Sequence, residues 1–140
     1  DPDISDFLQN IIRSDTSYYA IADAFKVLSI IDSSSAKKYV DGLLNTESHN
    51  DIIRRSALFY FGQVRNRYNY NRLIELIKYG KFSWESRPTI ISELAKYQKD
   101  RPKTLDHLLL YLNDNDRFVR MAVINQIGLH GNKLHFDLLD

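Results

Sequence analysis

A period of 33 residues constrains the fold of this sequence more than any other feature. The small residues Ser29, Gly62, Ala95 and Gly128 lie 33 apart, each preceded by an apolar residue: Leu28, Phe61, Leu94 and Ile127. Phe25, Leu58, Ile91 and Ile124 keep the same spacing, as do Ala24, Ala57, Ile90 and Val123. Ser17, Asn50, Ser83 and Asp116 align in this frame, and the side-chain oxygens of all four residue types accept the unpaired amides of a helix's first turn. Arg54, Arg87 and Arg120 complete the register. Agreement across four units marks a repeat architecture, in which a unit cannot bury its apolar face alone and becomes stable by stacking on its neighbours.

Each unit reads as two helices. Phe7, Leu8, Ile11 and Ile12 open the series of first helices; Val40, Leu43 and Leu44, then Leu73, Leu76 and Ile77, then Leu105, Leu108, Leu109 and Leu112 continue it at helical spacing. The pattern predicts first helices near 3–13, 35–45, 70–79 and 102–113, and second helices near 17–31, 50–64, 84–97 and 116–129. A ninth helix starts at Asn132, with Leu134, Leu138 and Leu139 on one face. The expectation is an all-α single domain over 1–140, an α-α superhelix of about four helix pairs, with repeats near 1–33, 34–66, 67–99 and 100–131 and a partial helix over 132–140. Five glycines and three prolines leave little material for the tight turns of an all-β fold. Pro102 suits the first turn of a helix, and Gly80 and Gly131 suit helix ends. Pro88 is the misfit: five residues past Ser83 it would remove an internal hydrogen bond, so that helix is expected to start near Ser86, after a loose turn through Phe82 and Trp84.

The stretch Asp114-Asn115-Asp116-Arg117-Phe118-Val119-Arg120-Met121-Ala122-Val123-Ile124-Asn125-Gln126-Ile127-Gly128 resembles a HEAT repeat: an acidic turn, Val-Arg, a small residue, then an apolar-Gly end. Asn50-Asp51-Ile52-Ile53-Arg54-Arg55-Ser56-Ala57-Leu58-Phe59-Tyr60-Phe61-Gly62 is a second copy. Neither the Thr-Pro-Leu-His start of ankyrin repeats nor the Trp/Gly/Tyr pattern of tetratricopeptide repeats occurs.

The first unit narrows the resemblance. Asp15-Thr16-Ser17-Tyr18, leading into the Ala-rich stretch Tyr19-Ala20-Ile21-Ala22-Asp23-Ala24-Phe25-Lys26-Val27-Leu28, resembles the C-terminal HEAT-like region of aminopeptidase N-like zinc metallopeptidases. Ser48-His49-Asn50-Asp51 and Lys99-Asp100-Arg101-Pro102 look like the same region. The resemblance implies a non-catalytic domain that packs beside a zinc-bearing catalytic domain and helps enclose the peptide cavity. Catalytic residues do not carry over. The family's zinc site needs His-Glu-x-x-His, and none of His49, His107, His130 or His135 begins that motif. The Gly-x-Met-Glu-Asn substrate-binding segment is missing too, so no catalytic, cofactor or metal residue is assigned in this chain and zinc is expected in the parent's catalytic domain. The opening Asp1-Pro2-Asp3, without an initiator Met, is read as a cut from a longer polypeptide.

Several residues remain as candidate sites. Stacked helices sit roughly 8–10 Å apart, so Arg54, Arg87 and Arg120 would form a ladder that either grips anions or, the preferred reading, bonds turn carbonyls and carboxylates such as Asp114 or Asp116. Arg65-Asn66-Arg67-Tyr68-Asn69-Tyr70-Asn71-Arg72 has the cation and aromatic mix that binds single strands, but falls where a solvated inter-repeat turn is due. Ile4, Phe7, Leu8, Ile11 and Ile12 form an apolar stripe wide enough to reach an upstream domain. Trp84, near Phe82, either anchors a partner or fills the gap left by the Pro88 irregularity.

Net charge is +1, which excludes a strong field attracting nucleic acid or anionic lipid. No cysteine is present, which excludes disulfides and thiolate metal sites and suits a cytoplasmic location. No apolar run approaches the ~20 residues needed to cross a bilayer, so no membrane partner is expected. Expected partners are the catalytic domain of the same polypeptide and peptide substrate. The alternatives are a free-standing HEAT scaffold for protein partners, and a HEAT-like nucleic-acid or DNA-repair domain resembling the alkylpurine DNA glycosylases, which Asp51, Glu93 and the charge balance disfavour.

Overall fold

The computed structural model describes residues 2–139, and every regular element among them is helical. The elements are α1 (Pro2–Ser14), α2 (Tyr18–Ile31), α3 (Ser33–Ala36), α4 (Val40–Leu44), α5 (Ile52–Gln63), α6 (Arg67–Leu76), α7 (Arg87–Ala95), α8 (Thr104–Leu108), α9 (Arg117–His130) and α10 (Lys133–Asp137). Short 3-10 turns occupy His49–Asp51, Lys96–Lys99 and Leu109–Tyr111. No helix among the described residues is long and apolar enough to cross a membrane.

The chain divides into two compact units, residues 1–69 and 70–140, with the division inside α6. In the first unit α2 packs along α1 and α5, and α4 lies on α5. Phe25, Leu28, Val40, Leu44, Ile53, Ala57, Leu58 and Phe61 form its buried interior. In the second unit α7 packs on α9 and α8, with Leu73, Ile77, Ile90, Ile91, Leu94, Tyr97, Leu108, Val119, Val123 and Ile127 buried.

Local chemistry explains where the helices start and stop. The Ser17 hydroxyl accepts the Ala20 amide (3.3 Å) to cap α2, and Asp15 Oδ1 accepts the Ser17 amide (2.7 Å). Three periods later Asp116 Oδ1 accepts the Phe118 amide (2.8 Å) to cap α9, and Asp114 Oδ1 accepts the Asp116 amide (2.9 Å). Both helices also end alike: the Asp32 amide donates to Leu28 O (2.8 Å) and the Gly131 amide to Ile127 O (2.7 Å). Only glycine fits this second end, because a Cβ on residue 131 would lie 2.5 Å from that carbonyl oxygen.

Several sequence expectations are corrected. Asn50 does not cap α5. It and Asp51 sit in the left-handed region at φ 54° and 56°, which Asn and Asp tolerate better than most residues, and the Ser48 hydroxyl accepts the Ile53 amide instead. The first helix expected over 35–45 is split into α3 and α4. Asp32 pulls the start forward by accepting the Ser35 amide, and the chain turns at Lys37–Tyr39, where the Tyr39 hydroxyl reaches back to α1. The segment Arg65–Arg72, read as a turn, is mostly helix: Asn66 Oδ1 accepts the Asn69 amide (2.8 Å) and starts α6 early. That helix stops at Leu76, and Gly80, at φ 86°, belongs to the turn that follows. Pro88 lies in the first turn of α7, where no amide is required of it.

Candidate functional site

The arginine column has a definite local role. Arg54 Nε donates to the carbonyl of Leu44 (2.8 Å), and Arg87 Nε donates to the carbonyl of Ile77 (3.0 Å). These acceptors are themselves 33 residues apart, so each arginine satisfies a carbonyl near the end of the first helix of its own repeat. Arg54 Nη1 also holds both Asp51 oxygens (2.9 and 3.1 Å). Arg87 places Nη1 and Nη2 on Asp114 Oδ1 and Oδ2 at 2.8 and 2.7 Å, a two-point fork. Arg120 donates to the Asp114 carbonyl (2.6 Å). Arg87 thus commits its whole fork inside the chain, and Arg54 commits Nε and Nη1.

The Arg87–Asp114 pair is deeply placed, with side-chain exposures of 2% and 8%. The hydrogen bonds from Arg87 hold the Asp114 carboxyl below the usual carboxylate range, with burial opposing them. A carboxyl depressed in the folded state contributes its full stabilisation above its unfolded value, about 3.9, and loses it as pH falls through the folded value. Acid titration followed by circular dichroism is therefore expected to show a stability loss below about pH 4 that shrinks in Asp114→Asn. An identical acid limb in that variant would refute the assignment.

Above the pair lies a cleft of about 330 Å³ lined by Tyr79, Gly80, Phe82, Trp84, Arg87, Asn115 and Asp116. The Arg87 guanidinium lies 5.5 Å from the Tyr79 ring centroid. Trp84 stacks on Phe118, centroids 5.2 Å apart at 30°, and Arg117 covers the Phe118 ring at 4.8 Å. Trp84 and Tyr79 are both exposed, so the loop after α6 holds aromatic surface in water. Sequence reading singled out Trp84 but not its partner, because Phe118 looks like an ordinary helix residue until the packing is seen.

The α1 stripe is less open than its sequence suggests. Leu8 and Ile12 are buried inside the chain and Ile11 is half-buried, leaving Ile4 and Phe7 outward. Beside it runs a polar chain that periodicity could not announce. Asp32 Oδ2 accepts from the Ser5 and Ser35 hydroxyls (2.6 and 2.7 Å), and Gln9 Nε2 donates to Ser5 Oγ (3.1 Å). The Tyr39 hydroxyl donates to Gln9 Oε1 (2.8 Å) and accepts from Arg13 (2.8 Å). Hydrogen bonds from Ser5 and Ser35 hold the Asp32 carboxyl far below its usual range. The network ties α1 to the segment after α2.

The histidines form no cluster. His135 Nδ1 accepts the Asn132 amide (3.1 Å), so its proton sits on Nε2, which faces Asp106 Oδ1 at 3.0 Å. His107 is half-buried, and burial lowers its pKa. Among the described residues no three His, Cys, Asp or Glu side chains are placed to hold a metal ion. No family model, curated protein or solved structure matches this chain.

Proposed function

We propose that this chain is a HEAT-type helical-repeat domain that serves a zinc aminopeptidase as its non-catalytic C-terminal part, packing beside the catalytic domain and helping enclose the peptide cavity. The supporting observation is what the family-like residues do. Asp15 and Ser17 build a helix start, and Ala22, Ala24, Phe25 and Leu28 fill the interior behind it. The resemblance therefore falls on architecture rather than chemistry, as it would in a domain that supplies shape to an active site held elsewhere. The exposed Trp84–Phe118 stack with Tyr79 is the surface we assign to the neighbouring domain, since Trp, Tyr and Arg dominate the binding energy of protein interfaces.

The reading frame upstream of the Asp1 codon gives the test. It is expected to encode His-Glu-x-x-His, and removing residues 1–140 from the encoded enzyme is expected to leave its zinc content intact while slowing peptide turnover. A frame without the motif, or unchanged turnover after the deletion, would contradict the proposal. A chain that instead captures proteins with no peptidase in its frame would be a free-standing scaffold.

A further inference from the structure

The burial of equivalent repeat positions shows two open faces that match each other. On α2 the face made by Ala22, Phe25 and Ser29 is closed, at 1%, 0% and 1% exposure. It is covered by α5, and the Phe25 and Tyr60 rings lie 6.3 Å apart. Leu58 and Ile91, the next two counterparts of Phe25, are likewise 0% exposed. On α9 the same face carries Met121, Ile124 and Gly128, and it is open: Ile124 is 47% exposed, Met121 59%, and nothing lies within 4 Å of a Cβ built on Gly128.

The reverse holds at the position of Tyr60, whose ring faces the preceding second helix. Tyr60 in the first unit and Gln126 in the second are 4% and 7% exposed, whereas Val27, their counterpart on α2, is 44% exposed. Ile30 and Ile31, three and four residues on, share its helical face and are exposed with it, as is Asp23 four residues before. Each open face presents apolar side chains, and by repeat position one is the complement of the other.

We propose that two copies of this chain associate head to tail, the α9 face of one receiving the α2 face of the next, with Ile124 meeting Val27 as Phe25 meets Tyr60 within the chain. Such a contact joins two different surfaces, so each copy keeps one face free for a further copy. The proposal shares with the preceding section only the repeat geometry; a frame without a zinc motif would end that reading and leave this one standing.

Sedimentation velocity of the 140-residue chain from about 1 to about 200 µM is the test, because association by mass action appears as a mass rising with concentration. The mass is expected to climb above the 16.4 kDa monomer. Val27→Glu and Ile124→Glu, each placing a carboxylate on one face, are each expected to stay monomeric, with helix content by circular dichroism as the folding control. Mixing the two variants is expected to restore a dimer and nothing larger, since one copy then supplies an intact α9 face and the other an intact α2 face. A wild-type chain that is monomeric throughout overturns the proposal. Association that survives Val27→Glu, or a mixture that stays monomeric while the wild type associates, also overturns it.

Discussion

Asp114→Ala is expected to destabilise the chain by about 3–5 kcal/mol in urea unfolding, because it strands the Arg87 guanidinium in a buried position without its carboxylate. The fork at 2.8 and 2.7 Å is the most enclosed ion pair described here, and Asp114 also accepts the Asp116 amide before α9 and, through its carbonyl, Arg120. A large cost from one deletion does not make the pair a large net contributor, since desolvating two charges offsets most of their attraction. The double variant Arg87→Met/Asp114→Leu is therefore expected to be less destabilised than Asp114→Ala alone. If the two single costs simply add in the double variant, the residues are not coupled and the pair has been misread.

The second large effect is a contrast between two residues at one repeat position. Phe25→Ala is expected to cost about 3–5 kcal/mol, the usual range for removing a fully buried ring. Ile124→Ala, three periods later, is expected to cost less than about 1 kcal/mol when measured on monomer, because half of that side chain is already in water. Comparable losses at the two positions would mean that burial there does not follow the repeat.

The second helices were the most legible part of the sequence. Expected spans of 17–31, 50–64 and 116–129 compare with Tyr18–Ile31, Ile52–Gln63 and Arg117–His130. Their apolar columns fill an interior, so periodicity and burial carry the same information. The first helices were less legible, because side chains such as Asp32, Tyr39 and Asn66 set their limits through bonds that leave no periodic trace. Asn50 was misassigned for a related reason: its residue type suits a cap, but its left-handed backbone hands the amide of Ile53 to Ser48. Of the candidate site, the arginine column and Asp114 could be read from spacing and charge. The aromatic surface could not, because Trp84 and Phe118 stand 34 positions apart and meet only where the loop after α6 reaches α9.

The fold of each unit rests on second helices that meet in one register, a residue at the position of Phe25 facing one at the position of Tyr60. Nuclear Overhauser spectroscopy on the labelled chain reads that register directly. Cross-peaks are expected between the Phe25 and Tyr60 rings and, by the same register in the second unit, between the Ile91 methyl groups and the Gln126 side chain. Contacts of Ile91 displaced by a helical turn along α9, or absent while the Phe25–Tyr60 pair is present, would contradict it.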